Sequence, residues 1–463
     1  MNSEDFNKIL FPHDLSVRKT MELMNLSAKI THGRGFAMIV GDGGECLGVL
    51  TDGDIRHKLT EGASMDDPIA NLMNRNFIFA KSGDSEHSML RKFEEDIFHL
   101  PVLDEEGKPL RLFHISDFDA NLRRCSRIIR SRAPARISFS GGGTDMSYYF
   151  KNRVGYVLST AINKYCYCSV ERTKDSEIFL VNRNFKKESR HDLSEPIDRD
   201  DPLSLVKACV KVMNPDFGFR METRSEVDPG SGLGGSSALS ATVIGALDHF
   251  RNRDHLDRYH LVDLAYQAER VELNVAGGWQ DQCAAVFGGM NLIEFRKDEI
   301  LVVPLRLPCD LLLELRHNLL LFRFGGTRDS GCIISDARQN FEKKKEEKIA
   351  LYESMTNLTL QMRDALLKGR LQAFGKLLDE GWNLKKQFST KISNDGVDRL
   401  YSQAKRAGAL GAKVLGAGAS GYFLVYAENG SRSQVIEAME QEGASLEYFD
   451  FADQGIETWT ALA

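Results

Sequence analysis

A glycine-rich stretch, DPGSGLGGSSALSA from Asp228 to Ala241, has the residues best suited to bind a charged ligand. Four glycines fall within six positions, and serine hydroxyls then precede a segment with helical spacing. Backbone N–H groups at a helix start, together with the helix dipole, hold phosphate oxygens, and serine hydroxyls can reach a phosphate or Mg²⁺. The alternative is a tight turn whose serines only cap the helix. The residues predicted to bind phosphate are Gly230, Ser231, Gly232, Leu233, Gly234, Gly235, Ser236 and Ser237.

The order G-x-G-x-x-G in this stretch also occurs in dinucleotide-binding and protein-kinase loops, but the flanking sequence excludes both. A dinucleotide loop follows a buried, nearly all-apolar parallel strand, whereas Phe219 to Val227 has a charged residue at every second position. It also needs an acid ending a second strand about 20 residues later, where this chain has the polar segment RNRDHLDRYH. The V-A-I-K and H-R-D motifs of protein kinases are missing. A Walker A loop would end in G-K-[ST], and this loop has Ser236 after its last glycine.

The composition is that of an ordinary water-soluble chain. Its 463 residues predict two or three domains, and 42% are hydrophobic and 27% charged. The net charge of −6 gives no basic excess that would favour nucleic acid. No apolar run is long enough for a membrane span, and the polar start MNSEDFNKIL does not predict a signal peptide. Eight cysteines without a C-x-x-C pair predict reduced thiols in a cytoplasmic protein rather than disulfides or a metal site.

An internal repeat occupies the N-terminal part of the chain. FAMIVGDGGECLGVLTDGDIRHKL, from Phe36 to Leu59, has the same order of elements as HLPVLDEEGKPLRLFHISDFDANL, from His99 to Leu122. Each copy reads as a strand, a glycine-containing turn, a second strand and a helix that begins with an acidic residue. The repeat therefore predicts a pseudo-symmetric module of two β-β-α units.

This module resembles a pair of CBS domains over residues 1–121. In that family a short Thr/Ser-and-Asp motif contacts the ribose of an adenine nucleotide. The resemblance implies a regulatory nucleotide site. The alternative is that the same residues cap helices, and that the module serves packing or assembly, including formation of a homodimer. The residues concerned are Thr51 and Asp54 in the first copy and Ser116 and Asp119 in the second.

Beyond a basic linker predicted at 122–129, the chain has the patterns of an α+β protein. Strand patterns occur in APARISFSG, VGYVLSTAIN, KYCYCSVERT and EIFLVNRNF, and the glycine-rich stretch is followed by two helical segments. Residues 335–388 are predicted to be helical with short breaks. AKVLGAGASGYFLVYA then places a glycine-rich turn between apolar segments, the second of which is a strand. Strands first, helices next and a βαβ-like tail indicate the α+β class.

Three segments of this region resemble the three motifs of GHMP kinases, the family of galactokinase, homoserine kinase and mevalonate kinase. They are RAPARISFSGGGTD (Arg132–Asp145), PGSGLGGSSA (Pro229–Ala238) and VLGAGASGYFLV (Val414–Val425). Their order and long spacing agree with the family, and the third departs from its usual glycine run at Ala419 and Ser420. The resemblance implies an N-terminal lobe at 130–330, related to a ribosomal-protein domain, and a ferredoxin-like C-terminal lobe at 331–463.

The resemblance also assigns chemical roles and implies ATP and Mg²⁺ as cofactors. In GGWQDQ, Asp281 matches the catalytic aspartate, which would accept the proton of a sugar hydroxyl. Arg136, in the first motif, would face it, favour its ionised form and steady the transferred charge. Glu269 in AYQAERVE matches the residue that binds Mg²⁺ together with Ser237. The alternatives are a structural ion pair for the first two and surface pairing with neighbouring arginines for Glu269.

Substrate contacts are implied on both sides of the loop. Gly142, Gly143 and Asp145 lie at the end of the first motif, and Asp145 matches the position that hydrogen-bonds sugar hydroxyls. Trp279 precedes the catalytic position, and Arg328 in GGTRDSG could meet a charged group of the substrate. The alternatives are a turn for Asp145 and core packing for Trp279.

Within the family, RISFSGGGTDMSYY, TAINKY and EGWNLKKQF resemble D-glycero-D-manno-heptose 7-phosphate kinases, and GGWQDQ also resembles L-fucose kinases. The implied function is ATP- and Mg²⁺-dependent phosphorylation of an anomeric hydroxyl. The heptose 7-phosphate would give the 1,7-bisphosphate for nucleotide-sugar and surface-glycan synthesis. L-fucose or another sugar is the alternative substrate, and a catalytically silent nucleotide or sugar sensor is the alternative function. A sugar or sugar phosphate is thus the expected partner, with no nucleic acid and no membrane.

Overall fold

The computed structural model describes residues 3–28, 30–31, 35–93, 97–115, 127–173, 176–251, 257–325, 330–343 and 345–462. The chain divides into two compact units, Met1–Ser126 and Arg127–Ala463. Ser116, Asp119 and Arg328 lie outside the described residues, as does most of the predicted linker. Within the described part, no helix is both long and apolar enough to cross a membrane. The cysteines of that part are all free thiols.

The first unit contains two sheets of three strands each. The strands are β1 (Leu10–Pro12), β2 (Phe36–Val40), β3 (Cys46–Thr51), β4 (Ala80–Lys81), β5 (His99–Leu103) and β6 (Pro109–His114). The helices are α1 (Ser3–Asn7), α2 (Val17–Ser27), α3 (Asp52–Thr60), a short 3₁₀ turn (Ile69–Asn71) and α4 (Glu86–Arg91). In each sheet the first strand runs parallel to the second, and the second runs antiparallel to the third. The sheets therefore repeat one arrangement, as the sequence repeat predicts.

Thr51 and Asp54 form a capping box at the start of α3. The Thr51 hydroxyl accepts the Asp54 N–H at 3.2 Å, and the Asp54 carboxylate accepts the Thr51 N–H at 2.8 Å. Thr51 Oγ1 also donates to the same carboxylate at 2.6 Å. Both residues thus have the helix-capping contacts that were the alternative to nucleotide binding. A nucleotide contact at this motif stays a prediction.

The second unit is built on two sheets. Its strands are β7 (Arg127–Ser140), β8 (Gly155–Arg172), β9 (Ile178–Asn182), β10 (Lys187–His191), β11 (Phe219–Ser225), β12 (Met290–Arg296), β13 (Glu299–Pro304), β14 (Leu319–Phe324), β15 (Gly411–Val414), β16 (Gly421–Tyr426), β17 (Ser445–Glu447) and β18 (Glu457–Leu462). The larger sheet has the order β10-β9-β11-β8-β12-β13, with β7 paired to β8 and to β18. The smaller sheet has the order β15-β16-β14-β17.

Helices cover both sheets. They are α5 (Ser147–Phe150), α6 (Ser204–Met213), α7 (Gly235–Arg251), α8 (Arg258–Tyr266), α9 (Gln280–Phe287), α10 (Cys309–Asn318), α11 (Ser330–Lys343), α12 (Lys345–Leu367), α13 (Leu371–Lys386), α14 (Asp395–Arg406) and α15 (Arg432–Gln441). A π-helical turn, Gln267–Glu272, continues α8. Helix α7 packs on β7 and β8, and α13 packs on β15. The helical stretch predicted at 335–388 corresponds to α11, α12 and α13.

β11 explains why the strand before the glycine loop alternates in charge. Phe219, Met221 and Thr223 are buried, while the intervening charged residues are partly exposed, and the strand runs antiparallel to β8. The predicted half-exposed antiparallel strand is therefore present. The strand also runs parallel to β9, but its partly exposed charged face differs from the fully buried parallel strand that a dinucleotide site requires.

Strand pairing differs from a simple division of the second unit at residue 330. β14 lies before that point but pairs with β16 and β17 in the smaller sheet. β18, at the C-terminal end, pairs with β7 in the larger sheet. Each sheet therefore takes strands from both sides of the predicted lobe boundary, because antiparallel pairing joins segments that are distant in sequence.

Candidate active site

The glycine loop joins β11 to α7 and forms one wall of a cavity in the second unit. Gly230, Gly232 and Gly234 have φ angles of 71°, 87° and 75°, in the left-handed region that favours glycine. α7 begins immediately afterwards, at Gly235. The loop residues that line the cavity are Gly230, Ser231, Gly232, Gly234, Gly235 and Ser236. The predicted anion-binding loop therefore has the required backbone shape at the N-terminus of a long helix.

Ser231 gives the loop a polar group without a protein partner. Its side chain is buried, and Oγ makes no hydrogen bond within the described part of the chain. A buried hydroxyl in that state costs about 1–3 kcal/mol, which a phosphate oxygen bound at this wall would offset. Leu233 has a different role, because its side chain is in the hydrophobic core and its carbonyl accepts the Arg136 N–H at 2.9 Å. Leu233 therefore supports the loop and does not line the cavity.

The third motif packs closely against the glycine loop. A Cβ atom at position 421 would lie 2.1 Å from the Ser231 carbonyl oxygen, and one at position 416 would lie 2.4 Å from the Gly232 Cα. Both Gly416 and Gly421 also have positive φ angles. Ala419, where the family's glycine run is interrupted, adopts φ of 68° as a non-glycine residue. Close backbone packing against the loop is thus the physical reason for glycine at 416 and 421.

Arg136 and Asp281 form an ion pair in the cavity wall. Arg136 lies in β7 and Asp281 lies in the first turn of α9. The guanidinium contacts Oδ1 through Nε at 2.8 Å and through Nη2 at 2.6 Å. Arg136 is 4% exposed and Asp281 is 22% exposed. Both contacts use Oδ1, so Oδ2 has no partner among the described residues and can accept a proton from a ligand.

Asp145 lines the cavity and at the same time closes the turn of the first motif. Its Oδ1 accepts the Gly143 N–H at 2.9 Å. Its Oδ2 accepts the Gln280 side-chain and backbone N–H groups at 3.1 and 3.3 Å. Burial raises the pKa of Asp145, and the hydrogen bond from the Gly143 N–H opposes this shift. Gly142 and Gly143 line the same wall, as predicted for contacts with a substrate.

Gln280 is a site residue that the sequence analysis missed. It lines the cavity beside Asp281, and its buried Oε1 makes no hydrogen bond in the described part of the chain. That oxygen is therefore available to accept a hydrogen bond from a hydroxyl group of a ligand. Its place next to Asp281 in GGWQDQ was the only available sequence signal.

Glu269 and Ser237 meet beneath the loop. Glu269 is buried in the π-helical turn, and it accepts hydrogen bonds from Ser237 at 3.2 Å and from Ser240 at 3.1 Å. The Arg270 guanidinium approaches the same carboxylate at 3.1 Å. Burial raises the pKa of Glu269. A carboxylate beside a hydroxyl is a donor set that suits Mg²⁺, although neither residue lines the cavity and Arg270 does.

Trp279 lies away from the cavity wall, contrary to the predicted substrate contact. Its ring stacks on Tyr266 with centroids 3.5 Å apart, and it packs against the hydrophobic core. The aromatic residues that do line the cavity are Tyr148, Tyr352 and Phe388, the last two stacked with centroids 4.2 Å apart. Tyr148 lies in α5, Tyr352 lies in α12 and Phe388 follows α13, and all of them are outside the three family motifs.

Lys385, in α13, is a cation of the cavity wall that no motif predicted. It is 9% exposed, and its ammonium donates a hydrogen bond to the Gly416 carbonyl. Burial and the nearby Arg136 charge lower the pKa of Lys385 to about 8. It belongs to the segment EGWNLKKQF, which entered the sequence analysis only as a resemblance.

Comparison with known proteins decides the family. Residues 204–289 match the GHMP kinases N terminal domain, and residues 362–445 match the GHMP kinases C terminal domain. The chain is 30% identical over 339 residues to D-glycero-alpha-D-manno-heptose 7-phosphate kinase of Campylobacter jejuni, covering 72% of this chain and 99% of that protein. The chain belongs to the GHMP kinase family. Residues 69–123 of this GHMP kinase match the CBS domain, which agrees with the predicted N-terminal module.

Other relatives agree on the family and differ in substrate. The bifunctional fucokinase/GDP-fucose pyrophosphorylase of Arabidopsis thaliana is 26% identical, with 76% of this chain matching 34% of that protein. A solved D-glycero-D-manno-heptose 1-phosphate kinase from Bacteriodes thetaiotaomicron is 27% identical with a TM-score of 0.59, covering 72% of this chain and all of that one. The predicted α+β fold and CBS module are confirmed, and the chain is a sugar kinase of the GHMP family.

Proposed function

We propose that this GHMP kinase transfers the γ-phosphoryl group of ATP to the anomeric hydroxyl of a sugar, with D-glycero-D-manno-heptose 7-phosphate as the first candidate substrate. The observation that carries the proposal is the ion pair of Arg136 with Asp281, which shares one cavity wall with the glycine loop and leaves Oδ2 free. The heptose phosphate is favoured because the relative of Campylobacter jejuni is matched over 99% of its length.

The chain's own groups account for each part of the transfer. As the sugar oxygen bonds to the γ-phosphorus, its proton passes to Asp281, and the bond from that phosphorus to the bridging oxygen of ADP breaks. Arg136 fixes the orientation of Asp281 through its two contacts with Oδ1. The loop N–H groups and the Ser231 hydroxyl hold phosphate oxygens. Asp145 and Gln280 are placed to contact sugar hydroxyls.

Mg²⁺ is the metal that the donor set fits. When bound, it would neutralise phosphate charge, with Ser237 and Glu269 as its oxygen ligands from this chain. Within the described residues, no three His, Cys, Asp or Glu side chains form a metal-binding group. Phosphate oxygens and water would therefore complete the coordination, as is usual for Mg²⁺ in kinases.

L-Fucose is the second candidate substrate. It is supported by the fucokinase relatives, of which that of Bacteroides fragilis is 26% identical over 69% of this chain. The same residues would act on it, because the proposed chemistry concerns only the anomeric hydroxyl. A direct comparison of substrates separates the two candidates.

The test is release of ADP from MgATP in the presence of the heptose 7-phosphate, L-fucose, D-galactose and D-mannose. We expect the highest kcat/KM with the heptose phosphate, and we expect Asp281→Asn to lower kcat by about 10²- to 10⁴-fold while ATP binding is kept. Asp298→Asn, at an exposed turn position, is the matched control. Undiminished turnover by Asp281→Asn would reject the proposed base. ATP binding without ADP release for any sugar would favour a silent sensor.

A further inference from the structure

Lys385 lies in the cavity wall but has no part in the chemistry described above. Its ammonium makes one hydrogen bond in the described part of the chain, to the Gly416 carbonyl, and no ion pair. A lysine ammonium can donate several hydrogen bonds, so donor capacity remains unused. A buried ammonium in this state is unfavourable unless a ligand brings negative charge to it.

The charged groups around Lys385 come from several elements. Arg136 of β7 and Lys413 of β15 add positive charge, and Asp145 and Asp281 add negative charge. Both carboxylates are already engaged, Asp145 by Gly143 and Gln280 and Asp281 by Arg136. Lys413 is occupied as well, because it donates to the Ser138 and Phe139 carbonyls at 2.8 and 2.9 Å. Neither carboxylate forms an ion pair with Lys385 in the described part of the chain.

The position of Lys385 indicates which anion would compensate it. Its acceptor, Gly416, packs directly against Gly232 of the glycine loop. Lys385 also lines the same cavity as Arg136 and Asp281. Lys385 thus lies near both the glycine loop and Asp281, the proposed base. In a kinase, the anion that passes through this place is the phosphoryl group in transfer.

We propose that Lys385 is a further catalytic residue, which donates hydrogen bonds to the oxygens of the phosphoryl group as it moves from ATP to the sugar. The glycine loop contacts the phosphates from one wall of the cavity, and Lys385 contacts the moving group from α13. This role rests on the proposed kinase function. The alternative is a structural role, in which Lys385 only joins α13 to the third motif through Gly416.

The pH dependence separates these roles. The lowered pKa of Lys385, about 8, means that the ammonium loses its proton as pH rises through that value. A neutral amine still donates to the Gly416 carbonyl, so a structural role survives this change, whereas stabilisation of a developing anion does not. We therefore expect kcat/KM for MgATP to fall above pH about 8. In kcat the decline should lie at higher pH, because bound phosphate favours the ammonium.

The experiment compares wild type with Lys385→Met, Lys385→Arg and the control Lys376→Met, which changes an exposed lysine of the same helix. Rates are measured from about pH 6 to about pH 10. We expect Lys385→Met to lower kcat by about 10²- to 10³-fold with little change in ATP binding. Lys385→Arg should keep part of the activity and lose the alkaline decline, because a guanidinium stays charged. Lys376→Met should behave as wild type.

A binding measurement gives a readout that does not depend on turnover. ADP with aluminium fluoride, a mimic of the phosphoryl group in transfer, should bind Lys385→Met about 10-fold or more weakly than wild type, while ADP alone binds equally. An unchanged alkaline decline in Lys385→Arg, or equal aluminium fluoride binding by Lys385→Met, would overturn the proposal. If Lys385→Met does not fold, as judged by thermal melting, the Arg variant still decides. Failure of the kinase function itself is distinct, because wild type would then release no ADP or Asp281→Asn would remain active.

Discussion

At the scale of single residues, Gly278 determines where Asp145 can lie. A Cβ atom at position 278 would be 1.9 Å from Asp145 Oδ2, which Gln280 also contacts. Any side chain at this position must therefore displace the carboxylate. Asp145 is the proposed contact for sugar hydroxyls, and its hydrogen bonds are to Gly143 and Gln280 and not to the glycine loop. The displacement should therefore affect the sugar and spare the nucleotide.

For Gly278→Ala we expect kcat/KM for the sugar to fall by about 10- to 100-fold, since a misplacement of about 1 Å has effects of this size. The affinity for ATP should change little. Steady-state kinetics with varied sugar and calorimetry with ATP measure the two effects. Gly430→Ala is the control, because a Cβ atom there has nothing within 4 Å. Equal losses in sugar and ATP affinity would contradict a local effect on Asp145.

Glu269 belongs to the same scale, because one carboxylate joins Ser237, Ser240 and Arg270. For Glu269→Gln we expect the Mg²⁺ concentration for half-maximal activity to rise by about 10-fold or more, since an anionic ligand becomes a neutral amide. A Mg²⁺ titration of the initial rate measures this. Glu272→Gln is the control from the same turn, where the carboxylate pairs with Lys211 at 2.6 Å. An unchanged Mg²⁺ requirement in Glu269→Gln would argue for a purely structural Glu269.

At the scale of elements, the turn between β15 and β16 packs closely against the glycine loop. The Gly421 Cα lies so near the Ser231 carbonyl that a Cβ atom would be 2.1 Å from it. This contact joins the smaller sheet to the loop between β11 and α7. The loop should therefore lose its shape when Gly421 is altered, even though Gly421 itself is not part of the cavity wall.

For Gly421→Ala we expect a loss of stability of about 1–3 kcal/mol and a weaker affinity for ATP, because both the clash and the positive φ are unfavourable. Gly443→Ala separates the two causes, since its φ is 82° and a Cβ atom there has nothing within 4 Å. It should lower the melting temperature and leave ATP affinity unchanged. Denaturant unfolding and ATP calorimetry on both variants provide the comparison. If both weaken ATP binding equally, the contact with Ser231 is not responsible.

At the scale of the whole molecule, the kinase region is a compact unit, Arg127–Ala463. The relative of Campylobacter jejuni is matched over 99% of its length by 72% of this chain, so it has no counterpart of the rest. We expect a chain of residues 127–463 to melt cooperatively and to keep kcat within about 3-fold of the full-length value. Mass in solution and the response of the rate to AMP, ADP and ATP then report on the N-terminal unit. If removal of the N-terminal unit changes neither the mass in solution nor the response to nucleotides, assembly and nucleotide regulation are both excluded as its role.

The residue types alone were enough to predict an anion-binding glycine loop, because the loop contains the glycines and serines that this function needs. The family and the pairing of Arg136 with Asp281 were predicted from the resemblance of the motifs to GHMP kinases. Trp279 shows the limit of this reasoning. Its position next to the catalytic segment suggested a substrate contact, but stacking on Tyr266 turns the ring toward the core. Gln280 and the aromatic residues of the cavity were missed for the same reason, since neighbours in sequence do not reveal which face of a helix meets a cavity.

The contacts of Lys385 depend wholly on the tertiary structure. The lysine is 31 residues from Gly416 in sequence, and Gly416 packs against Gly232 of the glycine loop, which is far from it in sequence. Backbone conformations and helix starts are set within a few residues, so the motifs could be interpreted directly. The charge around Lys385 is instead a sum over groups from β7, α9 and β15, and Coulomb interactions depend on distance in space, which only folding defines.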